Sequence, residues 1–123
     1  MVTLNGQKAD EDWYAVTVDQ AVEVRRVVFV HGECYHDGGW FDASAGKPGI
    51  QVRTEPNGEW KTVATLDSCP DTTATDSRGL RQGQKFEVTF EPVGIYGLRI
   101  VGKPARGDSP DQSFSSCAEL QAF

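Results

Sequence analysis

An antiparallel β-sandwich is the fold class this sequence predicts, and three observations predict it. Apolar side chains alternate at period two in short runs, and turn signals separate those runs. No stretch of the 123 residues keeps the i, i+3, i+4, i+7 spacing of an amphipathic helix.

Seven strands follow in order. Trp13 to Asp19 alternates on Tyr14, Val16 and Val18. Val22 to Val30 ends in Val27-Val28-Phe29-Val30, a continuous apolar run that predicts a central strand covered on both faces. Ile50 to Thr54 and Trp60 to Leu66 flank Pro56-Asn57-Gly58, a hairpin signal in which Asn-Gly supplies positive φ. Lys85 to Phe90 sets Phe86, Val88 and Phe90 on one face, Tyr96 to Val101 does so with Tyr96, Leu98 and Ile100, and Ser116 to Phe123 closes the chain. The predicted core contains Val27, Phe29, Val52, Phe86, Val88, Leu98, Ile100 and Leu120.

The connections fall into two kinds. Asp19-Gln20-Ala21, Glu55 to Glu59 and Glu91 to Ile95 are short, whereas His31 to Pro48, Asp67 to Gln84 and Gly102 to Ser115 are long. Counting successive strands up and down puts all three long loops at one end. Loops above about 12 to 15 residues are uncommon in compact domains and are usually functional. Three at one end predict a binding face on a plain scaffold.

Length and charge bound the partners. The chain has the size of one domain. A net charge of -6 opposes nucleic acid, heparin-like chains and anionic membranes, although Arg25, Arg26, Arg78, Arg81, Arg99 and Arg106 leave room for a local basic patch. No run of about 18 apolar residues could cross a bilayer, so no membrane insertion is expected. A polar segment follows Met1, and no export signal is read there. The expectation is a single monomeric module, residues 1–123, excised from a longer secreted chain whose export signal lies elsewhere. Cys34, Cys69 and Cys117 match no zinc spacing, and the preferred reading is one disulfide, Cys34 with Cys69, and one buried thiol.

The order of these features is similar to a known family. Trp13 with Val16 to Asp19, Val24 to Phe29, Gly38-Gly39-Trp40-Phe41, Ile50-Gln51-Val52 and Gly58 to Ala64 resemble the discoidin, or coagulation factor type C, superfamily. Phe86 to Phe90, Tyr96 to Ile100 and Ser116 to Leu120 continue the match, which looks most like bacterial carbohydrate-binding module family 32. The resemblance implies a jelly-roll sandwich, a carbohydrate ligand held by loops at one end, and a covalently linked catalytic domain, typically a secreted glycoside hydrolase. It also implies one structural calcium ion. Glu119 matches a glutamate that ligates calcium in the family, and Asn5 and Asp10 lie in the segment corresponding to its Asp-Gly loop. Calcium takes 6 to 8 oxygen ligands, which these residues and nearby carbonyls would supply. The family usually has one or two further strands before the tryptophan matching Trp13, and only twelve residues precede it here.

The first long loop, His31 to Asp42, is the richest in chemistry. A sugar site needs a flat aromatic for the C–H face of the ring and polar groups for its hydroxyls. Trp40 or Tyr35 is the candidate platform, and His36 and Asp37 are the hydrogen-bonding groups. Arg78 and Arg106 from the neighbouring loops complete the set. The alternative is that Trp40 and Phe41 plug the top of the core; adjacent residues on an extended chain point opposite ways, so at least one is expected to do so, and Phe41 is expected to be buried. Trp13 and Trp60 are expected in the core and His31 in a structural role. Zinc binding by His31, Glu33, Cys34 and His36 is disfavoured, because neighbours in one loop rarely converge without a second element. Arg106-Gly107-Asp108 matches an integrin-binding tripeptide, but three residues in such a turn are expected by chance. No Gly-x-Ser-x-Gly or His-Glu-x-x-His motif accompanies the Ser, His and Asp residues, so no catalysis is expected. The competing reading is a protein-binding adhesion domain of the same fold.

Overall fold

Two strands of 20 residues carry the architecture. In the computed structural model, which describes residues 11–123, β1 (Asp12–His31) and β5 (Lys85–Pro104) pair antiparallel along most of their length. Between them comes the short β2 (Phe41–Asp42), which pairs with the end of β5. β3 (Gly49–Arg53) adds to the late half of β5, β4 (Lys61–Thr65) adds to β3, and β6 (Cys117–Ala122) adds to the late half of β1. The order across the sheet is β4-β3-β5-β1-β6, with neighbours antiparallel.

One continuous ladder becomes a sandwich because its long strands fold over. Fully extended, the chain from Tyr14 to Phe29 would span about 50 Å. Yet the Phe41 ring centroid lies 6.3 Å from that of Tyr14 and 5.9 Å from that of Phe29. Both ends of β1 therefore meet the same ring. The register of β1 against β5 slips between Thr17 and Val22 and again between Val24 and Arg26. Such bulges add a residue, bend the strand and increase its twist.

This corrects the strand count. Asp19-Gln20-Ala21 and Glu91 to Ile95 are not tight turns; the strands run through both segments. The predicted reversal is real, but bulges in a bent strand make it. The hairpin follows the prediction with a shifted detail. Gly58 N–H donates to the Glu55 carbonyl at 3.0 Å, and the positive φ of 59° falls on Asn57. Pro56 and Asn57 thus occupy the centre, the pattern of a type II turn.

The core joins both layers. Val27, Phe29, Phe41, Ile50, Val52, Leu66, Phe86, Leu98 and Ile100 are buried in one cluster, with Val88 and Leu120 half-buried against it. Val27 to Val30 is buried residue by residue, as expected for a strand flanked by β5 and β6. Cys34 and Cys69 are not bonded to each other, which corrects the predicted Cys34–Cys69 disulfide. Cys69 is packed into the core, whereas Cys34 Sγ lies 3.3 Å from His31 Nε2. No helix of the described residues is long and apolar enough to cross a membrane.

Candidate functional site

The three long loops meet at one end of the sandwich, and backbone hydrogen bonds tie them together. Ala105 N–H donates to the Trp40 carbonyl, joining the third loop to the first, and Ala43 N–H donates to the Thr72 carbonyl, joining the first to the second. Arg106 and Gly107 N–H both donate to Ala74, each at 2.9 Å, joining the third to the second. Two buried serines pin the assembly from below. Ser116 Oγ donates to the Gly39 carbonyl at 2.6 Å, and Ser115 Oγ donates to Asp12 at 2.9 Å.

At the apex, Tyr35 and Gly38 pair across a tight turn whose tip is His36-Asp37. The third loop abuts this tip. Asp108 N–H donates to the His36 carbonyl at 2.8 Å, and a Cβ at Gly107 would sit on that same carbonyl oxygen. Gly107 also has φ of 57°, so the position requires glycine on both counts. The Arg106-Gly107-Asp108 tripeptide is a clasp between loops.

That clasp brings polar groups together. His36 Nδ1 lies 3.1 Å from an Asp108 carboxylate oxygen, and Gln112 Nε2 donates to Asp37 at 3.4 Å. Arg106 donates to the Ser109 carbonyl at 3.3 Å. The Asp108 carboxylate, by hydrogen bond and charge, raises the His36 pKa above the ordinary value, with Asp37 adding to it. Tyr35 is 42% exposed beside this cluster, its ring tilted at 40° to Phe114 with centroids 5.9 Å apart. A hydrogen bond to Glu33 and the charge of that residue raise the Tyr35 pKa, keeping its hydroxyl protonated.

Trp40 is a correction. It is only 3% exposed, and its indole N–H donates to the Thr73 carbonyl at 2.8 Å. The second loop covers it, so Trp40 cannot be the platform; Phe41 beside it is buried as well. Tyr35 is the apical aromatic. Arg78 is also set apart, because its guanidinium pairs with Asp76 at 2.7 Å within its own loop. Asp108, Gln112 and Phe114 escaped the sequence reading. His36 and Asp108 are 72 positions apart, and nothing local links them.

Beneath the loops a void of about 20 Å³ is lined by Phe29, His31, Phe41, Cys69, Leu80 and Phe86. It has room for a single water and none for a sugar ring. A sugar at this end would therefore lie outside that void. The His31–Cys34 pair does not resemble an activated nucleophile. Burial lowers the His31 pKa and raises that of the Cys34 thiol, so both stay neutral.

Among the proposed calcium ligands, Asn5 and Asp10 lie outside the described residues. Glu119 is exposed on β6 and accepts from Gln121 at 2.8 Å. No three His, Cys, Asp or Glu residues gather into a metal cluster among the described residues. Of the three residues expected to hold calcium, Glu119 alone lies among the described residues.

Trp13 and Trp60 correct a second expectation. Trp13 is 51% exposed and Trp60 half-buried, both on the outer face of the sheet. The alternation itself carried the signal for Trp13: if Tyr14 faces the core, Trp13 faces out.

Solved structures of carbohydrate-binding modules share this discoidin-like β-sandwich fold. Chitosan-binding module 1 from a chitosanase/glucanase of Paenibacillus sp. IK-5 aligns with TM-score 0.58 at 19% identity, covering 99% of this chain and 75% of that one. CBM32-3 from a family 31 glycoside hydrolase of Clostridium perfringens gives TM-score 0.63 at 17% identity, covering 97% and 71%. CpGH89CBM32-5 of the same organism, solved with GalNAc-β-1,3-galactose, gives 0.57 at 15%, covering 90% and 64%. No family model matches the sequence, and no curated protein does either. At these identities the likeness establishes the fold.

Proposed function

We propose that this chain is a non-catalytic carbohydrate-binding module and that its loop end holds the sugar. The observation that carries this reading is the convergence of three loops around an exposed ring, Tyr35, with the His36–Asp108 and Asp37–Gln112 pairs beside it. Tyr35 offers a face for the C–H side of a pyranose. Histidine, carboxylates and amide offer donors and acceptors for its hydroxyls. The fold supports the reading, since its structural neighbours are carbohydrate-binding modules. In this reading the module is extracellular and monomeric and tethers a glycoside hydrolase, covalently linked in the parent chain, to galactose or N-acetylhexosamine sugars.

A shallow site with one aromatic platform binds weakly, in the millimolar to micromolar range, about 4 to 8 kcal/mol. A glycan array probed with and without chelator selects the ligand and reports whether calcium at Glu119, Asn5 and Asp10 contributes. Calorimetry of Tyr35→Ala with the best array sugar should then show affinity weakened about tenfold or more. Its melting point should stay close to wild type, because the ring is half outside the protein. Unchanged affinity in that variant would remove Tyr35, and with it the loop-end site.

A further inference from the structure

The outer face of the sheet carries a second constellation, remote in sequence from the apical residues. β3 and β5 place Arg53 opposite Gly97 and Gln51 opposite Arg99, and Trp60, just before β4, lies across them. The Arg53 guanidinium carbon sits 4.2 Å from the Trp60 ring centroid and that of Arg99 sits 4.6 Å from it. Arg99 also stands 5.6 Å from the exposed Trp13 ring. Gly97 makes the arrangement possible, because a Cβ there would come within 3.0 Å of the Trp60 ring and 3.2 Å of Arg53 Cγ. The result is a ladder, Arg53–Trp60–Arg99–Trp13.

Its charges are unmatched. Arg26, Lys47, Arg78 and Lys103 each have a carboxylate partner, whereas neither Arg53 nor Arg99 forms an ion pair among the described residues. Arg99 is held by the neutral Gln51 at 2.8 Å. Arg53 Nε is buried with no hydrogen-bond partner among the described residues, an arrangement that leaves a donor uncompensated. Two like charges share one indole in a protein of net charge -6. Beside Arg53, an open groove of about 220 Å³ is lined by Thr17, Val18, Arg53, Pro56, Asn57 and Tyr96.

We propose that this face is a second binding site and that its ligand is an acidic saccharide, a chain bearing uronate carboxylates. Guanidiniums take carboxylates in charge-assisted and often bidentate hydrogen bonds. The flat indoles take the C–H faces of pyranose rings, and Thr17, Asn57 and Tyr96 offer partners for hydroxyls. Charge complementarity favours an anion, and the aromatic ladder favours a ring-bearing one. Screening limits the reach of the net charge: the Debye length is about 8 Å at physiological salt, so charges near this face, the two arginines together with Glu55 and Glu59, count for more than the distant acidic surface.

The three tryptophan indoles make the test direct. Labelled protein is titrated by NMR with trigalacturonate, with neutral galactotriose and with triglutamate, following the indole N–H signals. Trigalacturonate should shift Trp60 and Trp13 saturably and leave the buried Trp40 in place. Arg53→Gln/Arg99→Gln should weaken that response about tenfold or more, with an unchanged fold reported by its other amide signals. Tyr35→Ala should leave it intact. No shift in the wild-type protein overturns the proposal, as does a response that survives the double substitution. An equal response to triglutamate overturns the saccharide assignment, and an equal response to galactotriose overturns the anionic one. Loss of the response in Tyr35→Ala assigns the ligand to the loop end instead.

Discussion

The loop end and the outer sheet face treat the same residue types in opposite ways. At the loop end Trp40 is hidden, and three cations there have carboxylate partners: His36 has Asp108, Lys47 has Asp71 and Arg78 has Asp76. On the sheet face Trp13 is exposed, while Arg53 and Arg99 stack on indole rings and form no ion pair among the described residues. The difference follows from what holds each region. A ladder satisfies the backbone of a strand, so its outward side chains are uncommitted. Irregular loops lack that ladder and commit side chains to holding one another. Trp40 donates to Thr73, Ser116 to Gly39 and Lys47 to the Cys69 carbonyl. A tryptophan in a loop is thus no better a sign of a ligand platform than one on a strand.

Substituting the tryptophans breaks or sharpens this contrast most directly. Trp40→Ala empties a buried site and leaves the Thr73 carbonyl unpaired, so it should cost about 3 to 5 kcal/mol of folding stability. Trp13→Ala removes an exposed ring whose neighbour is a surface guanidinium, and should cost about 1 kcal/mol or less. Denaturant melts of the two variants measure both numbers. Equal costs would mean that the two environments are not as different as their exposures.

The same contrast explains what the sequence disclosed. Alternation is a local property, so the strands, the hairpin and most of the core were legible from it. Loop length is local too, and it foretold that the three long loops gather at one end. Who covers whom is not local. Trp40 and Phe41 are adjacent, and on an isolated strand one would point out. Both are buried because the second loop, some thirty positions away, closes over Trp40. Likewise the Cys34 thiol was predicted to seek Cys69 and instead meets His31, three positions back. The bends in β1 and β5 looked like turns because bulged segments are polar and exposed, as turns are.

Within the loop end, the two histidines carry the contrast down to single groups. His31 is 1% exposed, and burial lowers its pKa. A folded-state pKa below the unfolded value of about 6.5 means that the unfolded chain binds the extra proton first. Stability should therefore be fully present above pH 6.5 and fall as pH drops toward the folded value. The loss is bounded by about 1.4 kcal/mol for each pH unit within the window. Urea midpoints between pH 7.5 and 5.5 should decline accordingly. A flat profile would show that His31 accepts its proton without disturbing the core.

His36 should behave in the opposite sense and more weakly. Its side chain is 79% exposed, and the hydrogen bond and charge of Asp108 raise its pKa, with Asp37 a lesser cause. A raised folded-state value gives stability that is fully present below about pH 6.5 and is lost as pH rises through the raised value. Exposed pairs contribute little, so the melting point should hardly register it. The titration itself is the sensitive reading. In wild-type protein the His36 ring signals should titrate above the ordinary histidine value, and those of His31 below it. Asp108→Asn removes the larger cause and keeps the shape, so His36 should fall most of the way back, with Asp37 holding the remainder. His31 should not move. If His36 already titrates at the ordinary value, or ignores Asp108→Asn, then the clasp between the first and third loops does not form in solution. The apex would then lack the fixed donors and acceptors that a sugar requires.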